Sequence, residues 1–378
     1  MELGIYIHIP FCKRKCDYCD FVSFADKYEM QERYVSRLIE EIDDNREILK
    51  NNDITTIYIG GGTPSSIKPE LIGKILTDVY KYSSNLCLDD SEITIEANPG
   101  TVNKAKLQSY KNYGINRLSI GLQSANDEIL KTIGRIHNLQ NFLDTYNNAI
   151  EVGFKNINVD LMIGLPNQKL SDVKESLDVL INLKPQPQHI SVYSLIVEDG
   201  TLIDKKIKNG NLKLPDEDLE RNQYWYVKDF LELNGYKHYE ISNFAKEGFE
   251  SKHNCNCWKQ KQYIGFGLAA HSYIHGKRYS NTCNFDEYLN KKSNEIKEIH
   301  EIQSKFDMEQ EYMLLGLRMI DGVSIKKFKE KFVDNPVYIF RNELEKLSKE
   351  NLIKIDLDSI KLTNKGLDLA NIVWEEFV

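Results

Sequence analysis

The chain has 378 residues, 41% hydrophobic and 28% charged, so it can bury a sizeable core and is not a disordered chain. Its 49 basic and 57 acidic residues give a net charge of -8, which argues against a dominant nucleic-acid surface and predicts no nucleic-acid partner. Charges interrupt every apolar run short of a membrane span and the start MELGIYIHIPFC has no basic leader, so a cytoplasmic location is expected.

Ile5 to Ile9 reads as a first strand, leading through Pro10 and Phe11 into a cysteine-rich loop. Tyr28 to Leu49 has the spacing of a long charged outer helix. Ile54 to Ile59 is a strand stopped by Gly60, Gly61 and Gly62, and Ile67 to Leu86 reads as helix. The alternation continues with strands over Glu92–Ala97, Arg117–Gly121, Asn156–Ile163 and Gln188–Leu195. Helices are expected over Asn103–Asn112, near Asp127, over Leu139–Glu151 and over Leu170–Leu183. Strand–helix alternation of this kind predicts an α/β fold, a parallel sheet curved into a full or partial barrel, with an open doubly wound sheet as the competitor.

Past Gly200 the regularity weakens. Asp216 to Asn234 reads as helix, and His238 to Tyr279 as strands and loops lying against the barrel. From near Phe306 a helical unit begins, with helices expected over Ile325–Phe332 and Ile339–Ser348 and a hairpin from Leu352–Leu357 and Ser359–Leu362, a winged-helix-like pattern. Its acidic residues, Glu343 and Glu345 among them, make DNA binding a poor expectation and a lid or packing unit the plainer one. The expected divisions are 1–205, 206–300 and 301–378.

Seven cysteines are too few and too uneven for a disulfide scaffold, yet Cys12, Cys16 and Cys19 fall in one loop as C-x3-C-x2-C. Three thiolates on a short loop can hold three irons of a [4Fe–4S] cube and leave the fourth open to a small molecule. A zinc site would need a further ligand, with His8 or a distant residue as candidates, and plain thiols are the remaining alternative. Lys13, Arg14 and Lys15 can offset the charge of a thiolate-ligated cluster.

This loop resembles that of the radical S-adenosylmethionine superfamily. The resemblance implies a partial six-stranded (β/α) barrel in which S-adenosyl-L-methionine chelates the open iron, and a reductant such as flavodoxin or ferredoxin. It is narrower still. Tyr6, the cysteine loop, the turn Gly60-Gly61-Gly62-Thr63-Pro64-Ser65, Glu96, Gln123, Arg135 and Asp160 follow the oxygen-independent coproporphyrinogen III oxidase group over essentially the whole chain. The resemblance implies that Tyr6, Gly61 and Glu96 face one S-adenosyl-L-methionine. It implies that Gly62, Thr63, Gln123, Arg135 and Asp160 approach a second.

Two departures point away from the oxidases. Phe21 stands where they carry a further cysteine, and the barrel begins without their N-terminal extension. Both features resemble the haem chaperone branch, whose HNxxYW motif resembles His253-Asn254-Cys255-Asn256-Cys257-Trp258, with Cys257 in place of tyrosine. The branch implies haem binding and transfer to a haem-accepting protein, with peripheral contact to a membrane-bound acceptor among the alternatives and either a monomer or a homodimer. His253 is the first candidate haem ligand, Cys255 and Cys257 are alternatives, and His271 is a candidate for organising the pocket. Cys87 and Cys283 read as packing or surface thiols. The alternative function is oxidative decarboxylation of coproporphyrinogen III to protoporphyrinogen IX.

Overall fold

The computed structural model describes residues 1–83, 86–88 and 90–378. Its centre is a run of parallel strands, β1 (Glu2–Ile9), β2 (Asp53–Gly61), β3 (Glu92–Ala97), β4 (Arg117–Gln123), β5 (Ile157–Ile163) and β6 (His189–Ser194), hydrogen-bonded in that order. Helices Gln31–Asp44, Pro69–Tyr82, Lys104–Asn112, Leu139–Val152 and Leu170–Asn182 fill the connections. The expected long helix from Tyr28 breaks at Asn45, whose side chain bonds back to the Glu41 carbonyl at 2.7 Å. Residues Ser84 and Asn85 of the helix expected after β2 lie outside the described residues.

Alternation along the strands sorts chemistry onto two faces. Ile5 and Ile7, Ile57 and Ile59, Ile93 and Ile95, Leu118 and Ile120 are fully buried in the main aliphatic core with the outer helices. The intervening positions carry Tyr6, Tyr58, Thr94, Glu96, Ser119 and Asp160, and the register lines them up. Tyr6 pairs with Tyr58, Tyr58 with Thr94, Glu96 with Ser119, and Asp160 with both Gly121 and Ser191. A polar inner face therefore runs across all six strands.

The segment after Gly200 extends this sheet rather than lying against it, which corrects the expectation for His238–Tyr279. β7 (Lys237–Glu240) and β8 (Asn243–Ala245) add antiparallel to β6. On the other side β9 (Gln262–Phe266) pairs parallel with β1, followed by β10 (His271–Ile274), β11 (Lys277–Asn281) and β12 (Lys297–Ile302). β7 and β12 end the sheet, so the barrel is partial and open. The glycines after Ile59 do not stop β2 either; Gly60 and Gly61 remain paired with His8 and Ile9.

The added strands are fastened through Glu41, 1% exposed. Its carboxylate accepts from Tyr288 Oη at 2.7 Å, Asn281 Nδ2 at 2.6 Å and the Gly267 amide at 3.0 Å. The C-terminal region has its own core around Phe328, Phe340 and Leu347. It consists of helices Lys305–Gly316, Ile325–Phe332 and Arg341–Lys349, then β13 (Val323–Ser324), β14 (Ile353–Ile355) and β15 (Ser359–Leu362) in one antiparallel sheet with β15 central. Two terminal helices, Asn364–Asp368 and Ala370–Glu375, were not expected from sequence. Among the described residues no helix is long and apolar enough to cross a membrane.

Candidate functional site

The C-terminal ends of the parallel strands open into a cavity of about 550 Å³. Ten sequence-predicted residues line it: Cys12, Cys16, Cys19, Gly61, Gly62, Thr63, Glu96, Gln123, Arg135 and Asp160. This is the end of a βα barrel from which loops present chemistry.

The cysteine loop leaves β1 through Pro10 and is pinned by Cys12 N–H to Phe24 O at 3.0 Å and Phe24 N–H to Pro10 O at 2.7 Å. Cys12 is buried, and Cys16 and Cys19 are partly exposed toward the cavity. Burial raises the Cys12 thiol above its ordinary pKa and pushes Cys19 up to about 11, so both favour the neutral thiol on their own. Binding to iron would deprotonate them. Among the described residues no three His, Cys, Asp or Glu side chains converge on one point as a single metal ion requires. A cubic cluster makes a different demand, one thiolate per iron around a shared space.

Three observations fit such a group. Arg135 donates from Nη1 to Cys16 Sγ at 3.5 Å, while its Nε is buried with no partner. Thr63 Oγ1 donates to Cys12 Sγ at 3.4 Å. A Cβ on Gly62 would stand 3.0 Å from Cys12 Sγ and from Phe11 O, so glycine is what lets the turn close over the thiol. His8, the residue weighed as a further zinc ligand, is already engaged. Its Nε2 donates to Val22 O at 2.8 Å and its Nδ1 accepts from Tyr6 Oη at 3.0 Å.

Gly61 has φ +109°, and a Cβ there would lie 2.6 Å from the His8 ring. The turn thus needs glycine twice over, for backbone conformation and for space. Glu96 accepts from Tyr58 Oη at 2.9 Å, and desolvation, with Asp160 nearby, pushes its carboxyl up to about 7. Asp160 accepts from Asn158 Nδ2 at 2.7 Å and Ser119 Oγ at 3.1 Å, and burial raises its pKa also. Gln123 adopts φ +68° at the irregularity that ends β4.

Sequence reasoning passed over Asn98. Its Nδ2 donates to Thr63 Oγ1 at 2.9 Å and its Oδ1 accepts from Arg135 Nη2 at 2.8 Å, so it ties the glycine turn to the arginine. The available signal was its place directly after β3, in a loop at the ligand-bearing end. Tyr58 was missed as well, although the alternation of β2 puts it on the inner face.

Tyr6 and the candidate haem-region residues lie outside the cavity lining. Tyr6 sits below it, stacked on Tyr58 at 6.4 Å between ring centroids. His253 is deeper still, on the barrel floor and 7% exposed. It belongs to the helix Lys252–Trp258, not to a loop, with Ser251 as N-cap. Its Nδ1 is hydrogen-bonded to Thr56 Oγ1 at 2.8 Å and its ring stacks on Tyr58 at 5.2 Å. Glu92 accepts from the backbone amides of Lys252 and His253 at 3.0 and 3.1 Å and faces Arg117 at 3.9 Å. Burial lowers His253 to about 4 and raises Cys255 and Cys257 to about 11. His271 lies away from both places, exposed on β10 and stacked on His300.

Comparison with known proteins is consistent with this geometry. The model of the radical SAM superfamily matches residues 6–180, and that of the HemN C-terminal domain matches residues 304–369. The heme chaperone HemW of Bacillus subtilis is 38% identical, over 99% of this chain and 98% of its own. That of Haemophilus influenzae is 34% identical, over 100% and 98%. Among solved structures, coproporphyrinogen III oxidase (HemN) from Escherichia coli superposes with a TM-score of 0.86 at 21% identity, over 99% of this chain and 89% of that one, a likeness of fold.

Proposed function

Because the chain belongs to the HemW branch of the radical SAM superfamily, we propose that it is a haem chaperone that binds haem, passes it to a haem-requiring protein and retains a [4Fe–4S] cluster with S-adenosyl-L-methionine. The observation that carries this reading is 38% identity along essentially its whole length to a protein described as a heme chaperone. Phe21 supports it. It is 60% exposed at the cavity rim and supplies no thiol there.

In this reading Cys12, Cys16 and Cys19 hold the cluster. When bound, it supplies one-electron reduction of the S-adenosyl-L-methionine sulfonium, drawing on a donor such as flavodoxin or ferredoxin. The chain's own residues position and neutralise. Arg135 sets positive charge against the thiolate side, and Gly61 and Gly62 let backbone approach the ligand. Glu96, when ionised, accepts from the ligand's amino group. Tyr6 braces the turn through His8. Gly62, Thr63, Gln123, Arg135 and Asp160, all in the cavity lining, are assigned to a second ligand molecule.

We assign haem binding to the region of the helix Lys252–Trp258, within a division of the chain at 1–205, 206–300 and 301–378. His253 remains the first candidate ligand, and its use requires the ring to leave Thr56 and Tyr58. The thiols of Cys255 and Cys257, neutral at physiological pH, are poorer donors.

The test is anaerobic purification, cluster reconstitution, haem titration by absorption spectroscopy and a parallel assay with coproporphyrinogen III, S-adenosyl-L-methionine and a reductant. Stable haem binding without porphyrinogen turnover is expected. Formation of protoporphyrinogen IX would overturn the reading in favour of an oxidase.

A further inference from the structure

The resemblance gives Tyr58 no role, yet it stands between the two places discussed above. Its hydroxyl donates to Glu96 Oε1 at 2.9 Å, in the cavity. The His253 ring packs against its ring at 5.2 Å between centroids and 30° between planes. His253 is in turn fixed by Thr56 through Nδ1, and the start of its helix by Glu92. Space has been left for this stack. A Cβ on Gly60 would come within 2.9 Å of the Tyr58 ring and 3.1 Å of Glu96 Oε1, and one on Gly4 within 3.1 Å of Thr56 Oγ1, the partner of the His253 ring.

We propose that Tyr58 is a positioning residue that holds the Glu96 carboxylate toward the cavity, and that His253 backs it, so that the cavity and the helix Lys252–Trp258 are mechanically linked. This rests on the reading that Glu96 meets the ligand's amino group. Two sites joined by one stack influence each other reciprocally: whatever draws His253 off the floor loosens Glu96, and whatever engages Glu96 holds His253 in place.

The charges around the pair are few. Glu96 is faced by Tyr58 from β2, by Tyr6 from β1 and by Asp160 from β5. Tyr58 is also faced by Arg117 from β4 and Tyr193 from β6. Of these, only Tyr58 donates a side-chain hydrogen bond to Glu96. Loss of that hydroxyl makes the ionised form of Glu96 harder to hold.

The test uses the full chain, with Tyr58→Phe, His253→Ala, His253→Phe and Glu96→Gln. Infrared titration follows the Glu96 carboxyl band, identified by its absence in Glu96→Gln. In Tyr58→Phe its midpoint is expected to rise by about one pH unit. His253→Ala should give a smaller rise, and His253→Phe, which keeps a ring on Tyr58, should return it toward the native value. Equilibrium binding of S-adenosyl-L-methionine to the cluster-reconstituted protein should weaken about five-fold at pH 7 in Tyr58→Phe and recover by about pH 9.

An unmoved carboxyl midpoint in Tyr58→Phe overturns the positioning role. An unmoved midpoint in His253→Ala overturns the link to the helix. If Glu96→Gln binds S-adenosyl-L-methionine as the native protein does while the midpoint still moves in Tyr58→Phe, the positioning stands and the ligand assigned to Glu96 falls.

Discussion

Arg135 reaches Cys16 with one guanidinium nitrogen, at 3.5 Å, while its Nη2 is held by Asn98 Oδ1 and Gly121 O, each at 2.8 Å. The charge beside the sulfur is therefore fixed in orientation. Arg135→Gln removes the charge and is expected to weaken cluster retention by about 10- to 100-fold, as loss of an outer partner does at metal sites. Iron and sulfide content after gel filtration against a competing chelator measures this.

Gly61 and Gly100 both have positive φ, +109° and +77°, but differ in surroundings. A Cβ on Gly61 meets the His8 ring at 2.6 Å; one on Gly100 meets nothing within 4 Å. Gly100→Ala should cost about 1 kcal/mol, the backbone term alone. Gly61→Ala should cost about 3 kcal/mol, with strain and collision combined, and should also weaken S-adenosyl-L-methionine binding. Paired urea melts separate the two.

Two opposite pH dependences follow from the inner face. Glu96 titrates at about 7 in the fold, above its ordinary 4.5. Between those values the native state binds more protons than the unfolded one, so stability from this group falls as pH rises and the full penalty is present above pH 7. Glu96→Gln should therefore exceed the native protein in stability by on the order of 2 kcal/mol at pH 8, a figure reduced for solvent in the cavity, with the gain vanishing toward pH 4.5.

His8 and His253 behave the other way. Both are held neutral by burial, at about 4 against an ordinary 6.5. The unfolded chain binds the extra protons, so stability is lost as pH falls from about 6.5 to about 4. Replacing His253 by Phe should flatten the acid limb of the stability curve by up to about 3 kcal/mol. Chemical denaturation at a series of pH values reads both effects.

Glu41→Ala would leave Tyr288 Oη, Asn281 Nδ2 and the Gly267 amide without their shared acceptor. Three buried donors left unpaired should cost on the order of 3 kcal/mol or more. Protection against hydrogen exchange should drop first at the end of β9, in β11 and in the helix Phe285–Asn290, which these groups fasten to the first outer helix.

The parallel core was legible because its strands follow the period-two pattern and are punctuated by glycine, proline and asparagine. The cysteine loop, the glycine turn, Glu96 and Gln123 were legible because each lies at or beside a strand end, whereas Asp160, in the middle of β5, and Arg135, beyond the helix Asp127–Thr132, came from the resemblance. β7 to β12 were harder: β9 pairs with β1 across more than 250 residues of chain, and runs of three to six residues carry no local sign of so distant a partner. The helix at Lys252 was missed because a short polar, cysteine-rich run has no apolar stripe, although Ser251 is a fitting cap. That His253 points into the barrel depends on Gly4, Thr56 and Tyr58, which are neighbours in space alone.

All three tryptophans of the chain lie along one seam. The Arg318 guanidinium is sandwiched between Trp258, at 4.4 Å from the ring centroid, and Trp374, at 4.9 Å. Trp225 donates from Nε1 to Asp368 Oδ1 at 2.8 Å. Trp374 and Asp368 belong to the C-terminal region, whereas Trp258 ends the His253 helix and Trp225 lies on the helix Glu217–Leu233. The molecule's ultraviolet emission is thus a spectator of a single junction and nearly blind to the cluster loop. An emission change on adding haem would report on that junction without any label.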